Sequence, residues 1–282
     1  MNRGRDAASV FNTFLACVGA LCAGLAFAPE GHCADLQASI AHQQSSYLAQ
    51  EHFDSGQLAN EERGVLHAWF AAARAQADDN VYSIEAIRQA GALAYAGRTQ
   101  IGIPIGTRTD LVLTDVRVVY ERILARGPSW EAGAGLAVGQ RRIERAIAPT
   151  VWSTALDETL RWRYWRMQAQ ASRTMGAAFT MTGRVFVERG QSAALDVDFH
   201  GMGDSVTVHP CAATGYGAQA DLRWRLAPQV SLGFALATER QDYGASPYVT
   251  YSQGGAPVGL VRYPGSRQTL NSARVHLDID WP

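Results

Sequence analysis

The stretch Ala273-Arg-Val-His-Leu-Asp-Ile-Asp-Trp281 decides the fold. Ala273, Val275, Leu277, Ile279 and Trp281 alternate with Arg274, His276, Asp278 and Asp280. A helix would smear both sets around its circumference, whereas a strand sends each set to its own face. Val230-Ser-Leu-Gly-Phe-Ala-Leu-Ala repeats the period, with Val230, Leu232, Phe234 and Leu236 on the apolar side. Working outward, the same alternation recurs in Leu36–Ala41, Tyr82–Ile87, Val112–Glu121, Trp130–Val138, Leu160–Tyr164, Phe179–Glu188 and Tyr216–Leu226. The run Val65–Ala75 is apolar on both phases, so its facing stays open, and the phase breaks near Trp165 as it does at a bulge. This makes about ten strands of the roughly 9–11 residues that a tilted membrane strand needs.

The connections alternate in length. Long ones are expected at about 49–63, 94–109, 143–158, 190–210 and 244–267, and short ones at about 76–80, 125–129, 172–175 and 227–229. The short ones carry turn residues, such as Asp78-Asp79-Asn80 and Gly127-Pro128-Ser129. Long extracellular loops alternating with short periplasmic turns are the pattern of outer-membrane barrels, and a soluble sandwich has no reason for it. The expected fold is all-β: a closed, antiparallel, up-and-down transmembrane barrel of about ten strands. In hydrocarbon every backbone N–H and C=O needs a partner, so only a closed sheet spans without edges. Aromatic girdles belong at both rims. Trp130, Trp224 and Trp281 suit the periplasmic rim, and Trp162, Tyr164 and Tyr243 the outer one.

Composition agrees. The 282 residues are 47% hydrophobic, yet the charged share is 18% and the net charge is -1. Mean hydropathy is -0.12, which excludes a bundle of membrane helices and suits a barrel whose two faces cancel. A near-neutral chain has no strong pull toward nucleic acid. All 25 basic residues are Arg, whose planar fork suits buried pairing with carboxylates. Arg3 and Arg5 precede an apolar region from Ala7 to Ala28. This reads as a secretory signal over residues 1–34, cut after Ala34 with Ala28 as the alternative site, leaving a barrel over 35–282. A membrane anchor is the competing reading. Cys17, Cys22 and Cys33 fall within the signal, so Cys211 is left without an intramolecular disulfide partner.

Three segments resemble a family of small outer-membrane β-barrel proteins of unassigned function. They are Gly102-Ile-Pro-Ile-Gly-Thr-Arg-Thr-Asp-Leu-Val-Leu-Thr-Asp-Val-Arg-Val, Trp162-Arg-Tyr-Trp-Arg and Gly254-Gly-Ala-Pro-Val-Gly. That resemblance implies a fold and a location but no activity. The strand count is also similar to that of the omptins, outer-membrane proteases with a ten-stranded barrel. Omptins set an Asp–Asp pair against a His–Asp pair at the top of the barrel, with Asp-x-His as a local signature. Asp198-Phe199-His200 matches it, which makes Asp198 and His200 the candidate catalytic residues. No Asp-x-Asp stands before Asp110, where the other pair would belong.

Strand phase sets the second candidate site, a charge network in the lumen. It points Glu85, Asp115, Glu121, Glu131, Glu188, Asp221, Glu239, Asp278 and Asp280 inward. It points Arg117, Arg161, Arg163, Arg184, Arg223, Arg225 and Arg274 inward as well, with His276. A barrel of about eight to ten strands has an interior that side chains can fill, so paired charges are expected to plug it. His200 and His209 with Asp196, Asp198 and Asp204 read as solvated loop residues rather than metal ligands, and no cofactor is expected. Gly133 and Gly135 read as small lumen residues, not a phosphate cradle. The expected role is structural or surface-interacting in the outer membrane of a Gram-negative cell. The alternatives are an enzyme acting on peptide or lipid at the loop–lumen mouth and a narrow channel. Outer-membrane lipid and the barrel-assembly machinery are the expected partners, nucleic acid is not, and the extracellular partner stays open.

Overall fold

The computed structural model describes residues 35–98 and 102–281. The proposed signal over 1–34 lies outside them. Ten long strands form one closed antiparallel barrel. In chain order they begin with β1 (Asp35–His52), β2 (Leu58–Ala77), β3 (Asn80–Arg98), β4 (Pro104–Gly127) and β5 (Trp130–Ile147). β6 (Leu156–Met175) and β7 (Phe179–Asp198) follow, then short β8 (Val206–Val208), β9 (Cys211–Ala227) and β10 (Val230–Gly244). A loop hairpin, β11 (Val249–Gln253) and β12 (Ala256–Val261), precedes the last stave, β13 (Gly265–Trp281). Each stave pairs with its chain neighbour, and β1 pairs with β13, so the sheet closes on itself.

The deciding stretch behaves as its alternation requires. Val275, Leu277 and Ile279 are turned outward and exposed, while His276 and Asp278 are buried inside. Around the wall, Val118, Leu136, Val138, Val185 and Leu236 are all more than half exposed. On a soluble protein such a band would be an aggregation site; on a closed barrel it is the belt that meets lipid. Tyr82 with Tyr120, and Phe179 with Trp224, form aromatic pairs at the short-turn rim beside Trp130 and Trp281. The other rim differs from expectation. Trp162, Tyr164 and Tyr243 are buried inside the barrel, and Trp69, Trp165 and Tyr216 stand outside in their place.

The loops differ too. β1 runs to His52 and β2 begins at Leu58, so most of the expected loop 49–63 is strand. β5 and β6 likewise consume the flanks of 143–158. The staves therefore stand well above the belt, where the outward residues are charged, as in Arg142, Glu144 and Arg163. There water, not lipid, meets the outer face, and the apolar side chains that would face lipid lower down turn inward. They form a core of Leu66, Leu93, Leu111, Ile143, Leu160, Trp162 and Tyr243 inside the barrel.

Candidate functional site

Inward side chains taken in order along single staves show how the lumen is layered. β4 presents Thr109, Leu111, Leu113, Asp115 and Arg117; β5 presents Arg145, Ile143 and Arg141; β6 presents Glu158, Leu160, Trp162, Tyr164 and Arg166. A charged layer at the long-loop end, an apolar layer and a second charged layer follow one another.

Arg141 is the hub of the lower charged layer. It donates to Asp115 at 2.6 and 2.8 Å and to Glu239 at 2.7 Å, and lies 3.8 Å from Glu188. Arg166 pairs with Glu188 at 2.7 Å. The Tyr164 hydroxyl donates to Asp115 at 2.6 Å, and Gln241 bridges Glu188 and Glu239 at 3.1 and 2.8 Å. The Arg141 guanidinium also lies over the Trp162 and Tyr164 rings, which ties this layer to the apolar one. Tyr164 fits because Gly139, its partner on β5, lacks a Cβ; one placed there would meet the ring at 2.5 Å.

Above the apolar layer, beyond the belt, Arg145 holds three carboxylates. Glu51 lies at 3.1 Å, Glu62 at 3.0 Å and Glu158 at 2.8 Å. Thr109 donates to Glu62 at 2.7 Å, while Glu62 Oε2 and the Tyr47 hydroxyl are buried without a partner. Burial pushes the Glu158 carboxyl up to about 7; Arg145 opposes that shift, and Glu51 and Glu62 add to it.

At the short-turn end the inward charges line a cavity of about 230 Å³. Glu85 accepts both nitrogens of the Arg117 fork, one of them at 2.8 Å. His276 lies 2.8 Å from Asp221 and 3.1 Å from Asp278, which also faces Arg223 at 2.9 Å. Gly233 makes room for that imidazole, since a Cβ there would fall 2.1 Å from its ring. Glu121 accepts from Gln168 at 2.8 Å, with Arg184 at 3.7 Å. Glu131 lies 3.9 Å from Arg126, and Asp280 accepts from Gln37 at 2.6 Å. Arg274 lies over Phe70. Arg225 shares the inward phase but is exposed at the mouth.

Two of the residues assigned to the lumen by phase are not there. Arg161 and Arg163 point outward, with Arg161 pairing Asp196 at 2.9 Å on the outer surface. Taking the bulky Trp162 and Tyr164 as lipid-facing inverted this strand, which here has already left the belt. Arg141, Arg145, Arg166, Glu51, Glu62 and Glu158 were missed. Their signal is the continuation of strand phase past the last apolar outward residue. Beyond Val138, Gln140, Arg142 and Glu144 are as polar as Arg141 and Arg145, so alternation in hydropathy vanishes.

Asp198 and His200 are adjacent but not joined as a dyad. Asp198 accepts from the His200 backbone N–H at 2.9 Å, while the His200 ring lies 3.1 Å from Asp157. All three side chains are exposed. Asp110, near where an opposing carboxylate pair would stand, is tied to Arg108 at 2.8 Å on the outer face. His209 Nδ1 lies 3.2 Å from the Ala193 carbonyl.

No protein-family model matches the chain, and no curated protein sequence matches it. Solved structures do. The outer membrane protease OmpT from Escherichia coli is similar with a TM-score of 0.66 and 9% identity, over 90% of this chain and 98% of that one. The translocator domain of the autotransporter NalP from Neisseria meningitidis covers 99% of this chain and 98% of its own, at 11% identity and a TM-score of 0.42. At 9% identity the likeness to OmpT is one of fold. The fold is that of an outer-membrane β-barrel, and the apolar belt fits it to that membrane.

Proposed function

We propose that this chain is an integral outer-membrane protein whose barrel is closed to conduction and whose role is structural or surface-interacting. The supporting observation is the stack in the lumen, where the Arg141 ion-pair layer sits directly beneath Trp162, Tyr243 and Leu111. Charges paired this closely serve structure first, because each is satisfied by protein rather than left to line a path. The long loops then face outward and the short turns face the periplasm, with lipid and the assembly machinery as partners in insertion. Outside, Trp152, Tyr248 and Leu260 are 65%, 60% and 59% exposed on the loops, which offers contact area to a surface partner. Single-channel recording of the purified protein in planar bilayers tests the closed lumen. No stable openings are expected, and steady nanosiemens openings would overturn it.

A second reading, peptide hydrolysis at the outer mouth, has the His200–Asp157 contact in its favour. Neutral His can serve as a base when a carboxylate orients it. Cleavage of a fluorogenic peptide library by the protein and by His200→Ala decides it; equal rates retire the reading.

A further inference from the structure

Two outward side chains of β1 and β2 do not match the wall they stand on. The strands pair antiparallel, with His42 opposite Trp69 and Gln44 opposite His67. All four side chains are exposed on the outer face. Trp69 belongs to the long-loop rim. His42 therefore stands at the upper edge of the apolar belt, and Gln44 and His67 one outward step above it. Val275 and Phe234 continue the His42 row around the barrel, and both are apolar. Ionisable side chains on a membrane-facing wall are rare and mark function more often than structure.

The two imidazoles lie together. Their ring centroids are 6.1 Å apart with 28° between the planes, and the Trp69 ring meets His42 edge-on at 5.4 Å. Among the described residues neither imidazole has a hydrogen-bond or ion-pair partner. An aromatic girdle is served by Trp and Tyr; a pair of imidazoles on neighbouring strands adds two nitrogen donors set close together. We propose that His42 and His67 bind a divalent transition metal of the zinc, copper and nickel class on the outer wall of the barrel. One nitrogen of each ring at roughly 2.1 Å from a shared ion sets the centroids about 5–6 Å apart, so small side-chain rotations close the present spacing. Imidazole selects this class over Mg²⁺ and Ca²⁺, which favour carboxylate and carbonyl oxygen. Among the described residues no third His, Cys, Asp or Glu completes a cluster, so water takes the remaining positions, with the Gln44 amide beside them. The backbones of both ligands are already fixed by the sheet, which lowers the entropy lost on binding. The site goes beyond the closed-barrel reading and does not depend on it, because it lies on the outer wall and not in the lumen.

The test uses the protein purified from membranes in detergent, without a histidine tag, titrated calorimetrically with Zn²⁺. Saturable binding is expected, with a rise in Tm that equal Mg²⁺ does not produce. His42→Ala and His67→Ala should each raise Kd about tenfold or more. His52→Ala, at the far end of β1, should leave Kd unchanged. Cu²⁺ bound to the unmodified protein should show two ring nitrogens in its electron paramagnetic resonance spectrum. Absence of saturable binding, an equal rise in Tm with Mg²⁺, or unchanged affinity in either His42→Ala or His67→Ala overturns the proposal. If neither variant folds, the unmodified protein still decides, since a Cu²⁺ spectrum with fewer than two ring nitrogens overturns it alone.

Discussion

Arg141 shows what one residue does in a low-dielectric lumen. Its side chain is 5% exposed and faces Asp115, Glu188 and Glu239. Replacing it with Met leaves those carboxylates without their shared cation, and breaking a buried pair in this way costs about 3–5 kcal/mol. Urea unfolding in lipid vesicles should show that loss, and Asp115→Asn added to Arg141→Met should recover part of it. A loss below about 0.5 kcal/mol would mean that the layer is not held by its ion pairs. Glu158 behaves in the opposite sense. Its carboxyl titrates near 7 in the folded protein against an ordinary 4.5, so the folded state binds the extra proton. Stability is then full below about 4.5, falls as pH rises through about 7 and levels off above. Glu158→Gln keeps the uncharged form at every pH. Its Tm relative to the unmodified protein should therefore rise between about pH 5 and pH 8, by an amount reflecting of order 1–3 kcal/mol. A difference in Tm that stays constant with pH would refute this assignment.

Among the elements, β6 carries the most instruction. Below Trp165 its outward residues, Met167, Ala169 and Ala171, face the belt; above it, Arg161 and Arg163 face water while Trp162 and Tyr164 fill the lumen. One unbroken alternation of direction thus crosses from one solvent to another, and the residue types on each face exchange. The belt itself can be tested on β5. Leu136 is 56% exposed at the level where the outer face is apolar on every side. Leu136→Arg should cost about 2–4 kcal/mol if that face meets hydrocarbon. If the face met water, the same change would cost within about 0.5 kcal/mol. Strand direction was legible wherever a belt residue alternated with a polar one, as in Ala273–Trp281. It was not legible in Val65–Ala75, where the structure turns Leu66, Ala68 and Phe70 inward and Val65 and Trp69 outward.

At the scale of the whole molecule, closure joins β1 to β13 across most of the chain's length, pairing Leu36 with Trp281 and His52 with Gly265. Closure also brings Glu51, Glu62, Arg145 and Glu158 from four staves into one cluster, and Arg141 to Glu239 from opposite parts of the chain. By itself the sequence determined the strand period, the apolar belt, the short-turn girdle and the barrel class. Each of these depends on a residue's own solvent preference, repeated every second position, and that preference is local. Most of the inward charges in the belt region were legible for the same reason: Glu85, Asp115 and Arg117 contrast with apolar neighbours. Only the tertiary structure decided where the staves leave the lipid, which arginine meets which carboxylate, and that an aromatic and aliphatic layer separates two charged ones inside the barrel. Above the belt both faces of a strand tolerate polar residues, so the local contrast disappears. What remains is set by register and closure, which bring together residues far apart in the chain.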